Sequence, residues 1–198
     1  MAALRLETDR LILRIFQDTD MEALYLLLQD EEVNTFLPWW PVKDMEEARE
    51  FCKNHFGDKE YCFAVCLKED NYPIGYVKMD MDESHDFGYA LRKEFWHRGI
   101  VTEASRALVE QLKKDGIPYI TATHDRNNPR SGGVMRQIGM KYCYSYEELW
   151  QPKNFPVIFR MFQLNFDGCE DRVYQKYWNL YKTHFVEENI DSNIDSDL

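Results

Sequence analysis

What this chain lacks narrows it first. Its apolar runs, Ala23–Leu28 among them, are far short of the roughly 20 residues a membrane span needs. The opening MAALRLETDR has no apolar signal-peptide core, so the expected setting is cytoplasmic and away from membranes. Cysteines number five, an odd count in a chain of 198 residues that is too large to need covalent staples, and reduced thiols are expected. No CxxC pair or Cys/His cluster has zinc spacing, so no metal is expected. Cys62 and Cys66 would share one face of a strand without meeting as ligands. Positive charge is also scarce: 24 Lys and Arg against 35 Asp and Glu give −11. Nucleic acid, which needs a basic surface, is disfavoured as a partner, whereas an acidic cleft steers cations inward. No glycine-rich loop followed by Lys-Ser or Lys-Thr is present, which counts against a nucleotide-dependent kinase.

What is there builds a core. Aromatics make up 15% and hydrophobics 44% of the chain, enough to exclude global disorder. Arg10–Phe16 reads as a strand. Asp18–Asp20 supplies a cap for a helix with Met21, Leu24, Tyr25 and Leu28 on one face. Asn34–Val42, broken by Pro38 and Pro41, is a loop, and Asp44 with Glu47 resembles a capping box for a helix to about His55. Tyr61–Leu67 and Ile74–Met81 form a hairpin around Asn71-Tyr72-Pro73, and Asp86–Arg92 is a fourth strand. A helix from Ile100 buries Val101, Ala104, Leu108 and Leu112 and ends at Asp115-Gly116. Pro118–His124 is a strand, and a short helix over Ser131–Ile138 stops at Gly139. Met140–Trp150 and Val157–Leu164 pair. Asp171–Phe185 reads as a last helix whose Tyr174, Tyr177, Trp178 and Tyr181 suit either a core seam or a homodimer contact. The order predicts an α/β (α+β) fold: a mixed, mostly antiparallel twisted sheet with helices on both faces. It divides into a domain over 1–166, a C-terminal helix over 167–186 and an acidic tail over 187–198. That tail holds five carboxylates and no Lys or Arg, leaving −6 on the body, and it is expected to be disordered.

The richest stretch is Asp86–Thr102, DFGYALRKEFWHRGIVT. A strand runs into a basic turn, Trp96-His97-Arg98-Gly99, and a helix then opens. Unpaired N–H groups and the dipole at a helix start favour an anion. Gly99 permits close backbone approach, and Arg98 adds a charged donor.

That order, with these motifs, resembles the GNAT superfamily of acyl-CoA-dependent N-acetyltransferases, and within it the branch containing ribosomal-protein N-terminal (alanine) acetyltransferases. Glu7-Thr8-Asp9-Arg10-Leu11-Ile12-Leu13-Arg14 is similar to the start of that branch. Phe87–Leu91 followed by Phe95–Ala104 resembles its pyrophosphate motif, and Asn128, Ser131 and Ile138-Gly139-Met140 resemble its later segment. The resemblance implies acetyl-CoA as co-substrate. His97, Arg98, Gly99, Ile100, Val101 and Thr102 would wrap the pyrophosphate. The backbone of Tyr89, Ala90 and Leu91 would pair with pantetheine like an added strand. Asn128 and Ser131 would contact the same arm. Trp96 stands where the family carries Arg or Gln, and Val101 where it carries Gly or Ala. Met135 replaces a tyrosine that protonates the leaving thiolate in many relatives, which leaves water, Tyr142 or Tyr144 for that step.

Acetyl transfer needs an uncharged amine, and roughly one alkyl ammonium in a few thousand is neutral at pH 7. Asp86, at the strand start where many relatives carry Glu, is the first candidate base, through a water. Glu83 and His85 stand nearby, and a solvated turn is the alternative for all three. Trp39 and Trp40 lie where the branch places its acceptor wall; they either face a cationic amine or pack a proline-rich loop. The expected function is acetyl transfer by direct attack on acetyl-CoA, to a cationic small molecule (aminoglycoside- or polyamine-like) or a protein or peptide N-terminus. A non-catalytic acyl-CoA-binding sensor or partner-binding module is the alternative.

Overall fold

The computed structural model describes residues 4–57, 59–188 and 190. Two antiparallel sheets form it, in the orders β1-β2-β3-β4-β5 and β6-β8-β7-β9. The first comprises β1 (Leu6–Glu7), β2 (Leu11–Arg14), β3 (Cys62–Leu67), β4 (Pro73–Met79) and β5 (Phe87–Leu91). The second comprises β6 (Tyr119–Asp125), β7 (Lys141–Trp150), β8 (Phe155–Asn165) and β9 (His184–Phe185). One parallel bridge, Asp86 to Thr121, joins them.

Alternation along the strands decides what covers each face. Leu11, Leu13, Phe63, Val65, Val77 and Leu91 point to α4 (Ile100–Lys114). Ala104, Leu108 and Leu112 of that helix are fully buried, and each such Leu contributes about 1.5–3 kcal/mol of burial. Cys62, Tyr76 and Ala90 point the other way, to α1 (Met21–Leu28), α2 (Glu31–Asn34) and α3 (Met45–Phe51). Asp44 caps α3 by accepting from the N–H groups of Glu46 and Glu47 at 2.9 Å. Asp20 stands at the N-cap of α1 but does not cap it with its side chain; its carboxylate instead forms a buried ion pair with Arg14 at 2.6 Å.

The C-terminal span departs from the sequence reading. Helix occupies only α6, Lys176–Leu180, and the chain then extends into β9, which pairs with β7 at Ser145 and Tyr146. Tyr174, Tyr177, Trp178 and Tyr181 have helical spacing, but they pack on the sheet with Tyr144 and Tyr146: Tyr177 and Tyr181 stack on Tyr146, and Trp178 meets Tyr144 edge-on. Tyr–Tyr stacking against a sheet wins over a helix that would have buried one stripe only. Glu187, expected at the start of a loose tail, accepts from Arg160 at 2.6 Å and Ser145 at 2.5 Å. Asn189 and residues 191–198 lie outside the described residues. Among the described residues no helix is long and apolar enough to cross a membrane.

Candidate active site

The two sheets part at Asp86. Thr121 donates its N–H to the His85 carbonyl at 3.2 Å and its Oγ1 to the Ser84 carbonyl at 2.8 Å. Beyond that clamp β5 has no sheet partner on the side facing β6, so the backbone groups of Tyr89 and Leu91 that point to that edge lack a strand partner, while those of Ala90 point to β4. Gly75 lets β4 press close on the opposite edge: a Cβ there would meet the Ala90 carbonyl oxygen at 2.3 Å. Across the gap, the Tyr89 hydroxyl donates to the Ser131 carbonyl at 2.8 Å and lies 3.0 Å from its Oγ. The gap is thus fixed at its foot by Asp86 and bridged by Tyr89.

Past β5 the chain forms the basic turn. His97 and Gly99 adopt left-handed backbone, φ 60° and 68°, and Gly99 is the cap residue of α4 with no side chain capping the helix. The first intrahelical bond is Glu103 N–H to the Gly99 carbonyl, 3.0 Å. Ile100, Val101 and Thr102 therefore present N–H groups with no intrahelical acceptor, and the dipole adds positive potential. Their side chains are committed elsewhere. Ile100 is buried, Val101 packs on the core, and the Thr102 hydroxyl donates to Gln137 at 3.0 Å. What they offer a ligand is backbone, which suits an anion recognised by N–H groups. Trp96 braces the turn through Nε1 to the Leu91 carbonyl at 2.7 Å, and the Arg98 guanidinium lies over Phe95 at 5.4 Å. Arg10 donates to the Arg98 carbonyl at 3.0 Å and pairs with Glu103 at 2.7 Å. Burial pushes the Glu103 carboxyl up, but bonds from Thr8 and Arg10 hold it below its ordinary value. Asn128 caps α5 (Pro129–Gln137) by accepting from the Ser131 N–H at 3.4 Å.

Asp86 faces the α1–α3 side, since it precedes Phe87, Gly88 lies opposite Lys78 and Ala90 opposite Tyr76. Burial pushes its carboxyl up to about 6, Lys78 opposes, and Asp80 and Asp82 add to the rise. Among the described residues no hydrogen bond reaches this carboxylate. Lys78, whose stem crosses Gly88, pairs with Asp80, which also holds Lys59 at 2.7 Å.

Other expected site residues are placed differently. Glu83 is exposed, and its carbonyl accepts from the Tyr119 hydroxyl at 2.5 Å. Tyr144 is buried and its hydroxyl donates to the Tyr174 carbonyl at 2.7 Å, because a shift in register between Tyr142 and Tyr144 turns it to the C-terminal segment; it packs that segment instead of lining the gap. Tyr142 is engaged by Ser145 and by the Glu187 N–H, each at 3.0 Å. Trp39 packs edge-on against Phe51 at 4.7 Å. The Trp40 face already carries the Lys153 ammonium at 5.9 Å, which donates to the Asn34 and Thr35 carbonyls. Met135 is core. The sequence reading passed over Lys78 and Tyr146, and took Tyr177 for a core seam or dimer contact with no link to Asp86. Only the alternation Tyr76-Lys78-Asp80, polar groups on a face that should be apolar, marked any of them.

An unpaired strand edge, an uncapped helix start and a raised carboxylate meet at one parting of two sheets. A model of the acetyltransferase (GNAT) domain matches residues 10–141. The chain belongs to the GNAT acetyltransferase family. An uncharacterized N-acetyltransferase, YnaD of Bacillus subtilis, is 28% identical over 142 residues, 70% of this chain and 83% of that protein. A GNAT-family acetyltransferase from Bacillus anthracis superposes with TM-score 0.74 at 23% identity, covering 83% of this chain and 99% of that one. RimL, a ribosomal L7/L12 alpha-N-protein acetyltransferase solved with coenzyme A, gives 0.69 at 19%, covering 83% and 99%. GNAT chemistry fits the parting as described. An acyl-CoA carries a pyrophosphate, an anion of the kind that backbone N–H groups at a helix start accept, and an amide-bearing arm of the kind that can add to a strand edge. Among the described residues no group of His, Cys, Asp and Glu is arranged to hold a metal.

Proposed function

We propose that this GNAT enzyme moves acetyl from acetyl-CoA to a primary amine by direct attack in a ternary complex. Residues 97–102 hold the pyrophosphate by backbone N–H groups. Tyr89 and Leu91 pair with the pantetheine amides, and Asn128 and Ser131 border the same arm. Asp86 takes a proton from the acceptor ammonium, directly or through one water, and a carboxyl poised near 6 suits that task at neutral pH. The free amine attacks the thioester carbon, the C–S bond breaks, the nitrogen gives up its second proton to water, and the thiolate collects a proton from water, since Tyr142 and Tyr144 are engaged elsewhere. Developing charge on the carbonyl oxygen is met by backbone N–H groups of β5.

The acceptor is read as cationic: a polyamine- or aminoglycoside-like molecule, or a protein N-terminus. Support comes from the acidic balance of −11 and from Asp86. The single observation that carries the reading is the parting of β5 from β6 directly above that carboxylate. The test is thiol release from acetyl-CoA over a panel of spermidine, an aminoglycoside and short peptides with free N-termini, with coenzyme A binding followed by calorimetry. Turnover with one class supports the proposal. Tight binding with background release throughout leaves an acyl-CoA-binding module.

A further inference from the structure

Residues matched by the family model end at 141, yet the chain beyond β8 returns to the Asp86 face. Asp86 is bridged to Thr121, Thr121 lies opposite Gln163, and bridged or paired neighbours share a face. The Gln163 side chain accepts the Tyr174 N–H at 2.7 Å and donates to the Arg172 carbonyl at 2.9 Å. Tyr144 donates to the Tyr174 carbonyl, and Glu147 N–H to the Thr183 carbonyl at 2.9 Å. Between these anchors stands a column of rings. Tyr177 stacks on Tyr146 at 5.0 Å and 18°, and Tyr181 stacks on the same ring at 4.8 Å and 10°. Tyr177 lies toward Asp86 and Ser84, Tyr181 toward Glu148.

We propose that the C-terminal segment is a wall of the acceptor site, in which Tyr177 is a positioning residue that screens the Asp86 carboxylate from bulk water. This rests on the reading of Asp86 as the base. The groups facing Asp86 come from four places: Tyr76 and Lys78 on β4, Asp80 and Asp82 in the following turn, Tyr146 on β7, and Tyr174 and Tyr177 in the C-terminal segment. Lys78 is held by Asp80, and Asp80 and Asp82 are acidic side chains that push the Asp86 carboxyl up. Only the tyrosine rings can exclude water without adding charge; Tyr146, Tyr174 and Tyr177 all lie beyond the family match, and of these Tyr177 is the ring of the returning segment that stacks on Tyr146 and feels the charge of Asp86 ahead of that of any other group. Loss of that ring hydrates the carboxylate and weakens the base.

The test needs no acceptor: titrate the Asp86 carboxyl by NMR in the full chain with 13C-labelled aspartate, Asp86→Asn identifying the signal. Wild type and Tyr177→Phe, which keeps the ring, should share a midpoint of about 6. Tyr177→Ala should move it down by about one pH unit or more, toward the ordinary 3.9 or so. Tyr181→Ala, which removes a ring that lies toward Glu148 and not toward Asp86, should leave it in place. Should Tyr177→Ala fail to fold, Tyr177→Leu should move the midpoint in the same direction by less. A midpoint that stays near 6 when Tyr177 is replaced by Ala or Leu, or one that moves as far in Tyr181→Ala, overturns the proposal. The base reading fails separately, if Asp86→Asn transfers acetyl at the wild-type rate. Where both hold, kcat/KM of Tyr177→Ala at pH 7 should fall about tenfold.

Discussion

Replacing Gly99 with Ala probes the basic turn without touching any side chain. Gly99 has φ +68°, and a Cβ there would meet nothing closer than Arg10 Nη2 at 3.8 Å. Space is open, so the whole cost is backbone: about 1–2 kcal/mol for a non-glycine residue in left-handed geometry. In a chain of this size each kcal/mol lowers Tm by about 2–4 °C. In the free protein the turn can relax, and a ligand that needs the original N–H directions must pull it back. Each kcal/mol spent that way weakens coenzyme A binding about fivefold, so calorimetry should show Kd raised about 5–30-fold. Gly116 is the control. It has φ +78° at the other end of α4, with nothing within 4 Å of an added Cβ. Gly116→Ala should lose similar Tm and no affinity. Gly99→Asn, tolerant of this backbone, should retain most binding. If Gly99→Ala and Gly116→Ala lose Tm alike and both bind coenzyme A as wild type, the turn is not the anion site.

Asp20→Asn strips half of a buried ion pair whose side chains are 8% and 5% exposed, and urea denaturation should show a loss of about 3–5 kcal/mol. Gly132→Ala puts a Cβ 2.6 Å from Nε2 of buried His124. Something must shift under the first turn of α5, costing about 1–3 kcal/mol by denaturation and weakening coenzyme A binding through Asn128 and Ser131. Asp86→Asn should also change the pH dependence of stability. The folded carboxyl holds its proton to about 6 against a reference of 3.8. Between those values the native state binds more protons than the unfolded one, so wild-type stability falls as pH rises through the window and stays lower above it. Discounted for the part of Asp86 open to solvent, that loss is about 1 kcal/mol. Asp86→Asn should therefore raise Tm at pH 8 relative to wild type, with less gain at pH 4, in paired thermal melts.

The turns and caps of the proposed cofactor side were legible in sequence because their signals are local. Gly99 before an apolar helical stripe, Asn128 before Pro129 and Gly139 after a short helix each declare a turn or cap within a few residues. Strand alternation likewise gave β3, β4, β7 and β8. The acceptor side was not legible, because it is assembled from distance. The parting of β5 from β6 depends on a single bridge between Asp86 and Thr121. Trp40 reads as an open aromatic face until Lys153, far along the chain, settles on it. Tyr174, Tyr177 and Tyr181 carry helical spacing, and only Tyr146 on another strand turns them into a stacked column. The raised carboxyl of Asp86 has no local cause at all beyond its own turn.

The most direct measurement is kcat/KM for acetyl transfer against pH, wild type beside Asp86→Asn, with whichever amine the panel yields and with coenzyme A affinity measured on both. The wild-type acid limb should break near 6. Asp86→Asn should bind coenzyme A as tightly, lose about 10²–10⁴ in rate and lose that break. An Asp86→Asn enzyme with the wild-type rate and the same acid limb would contradict the account.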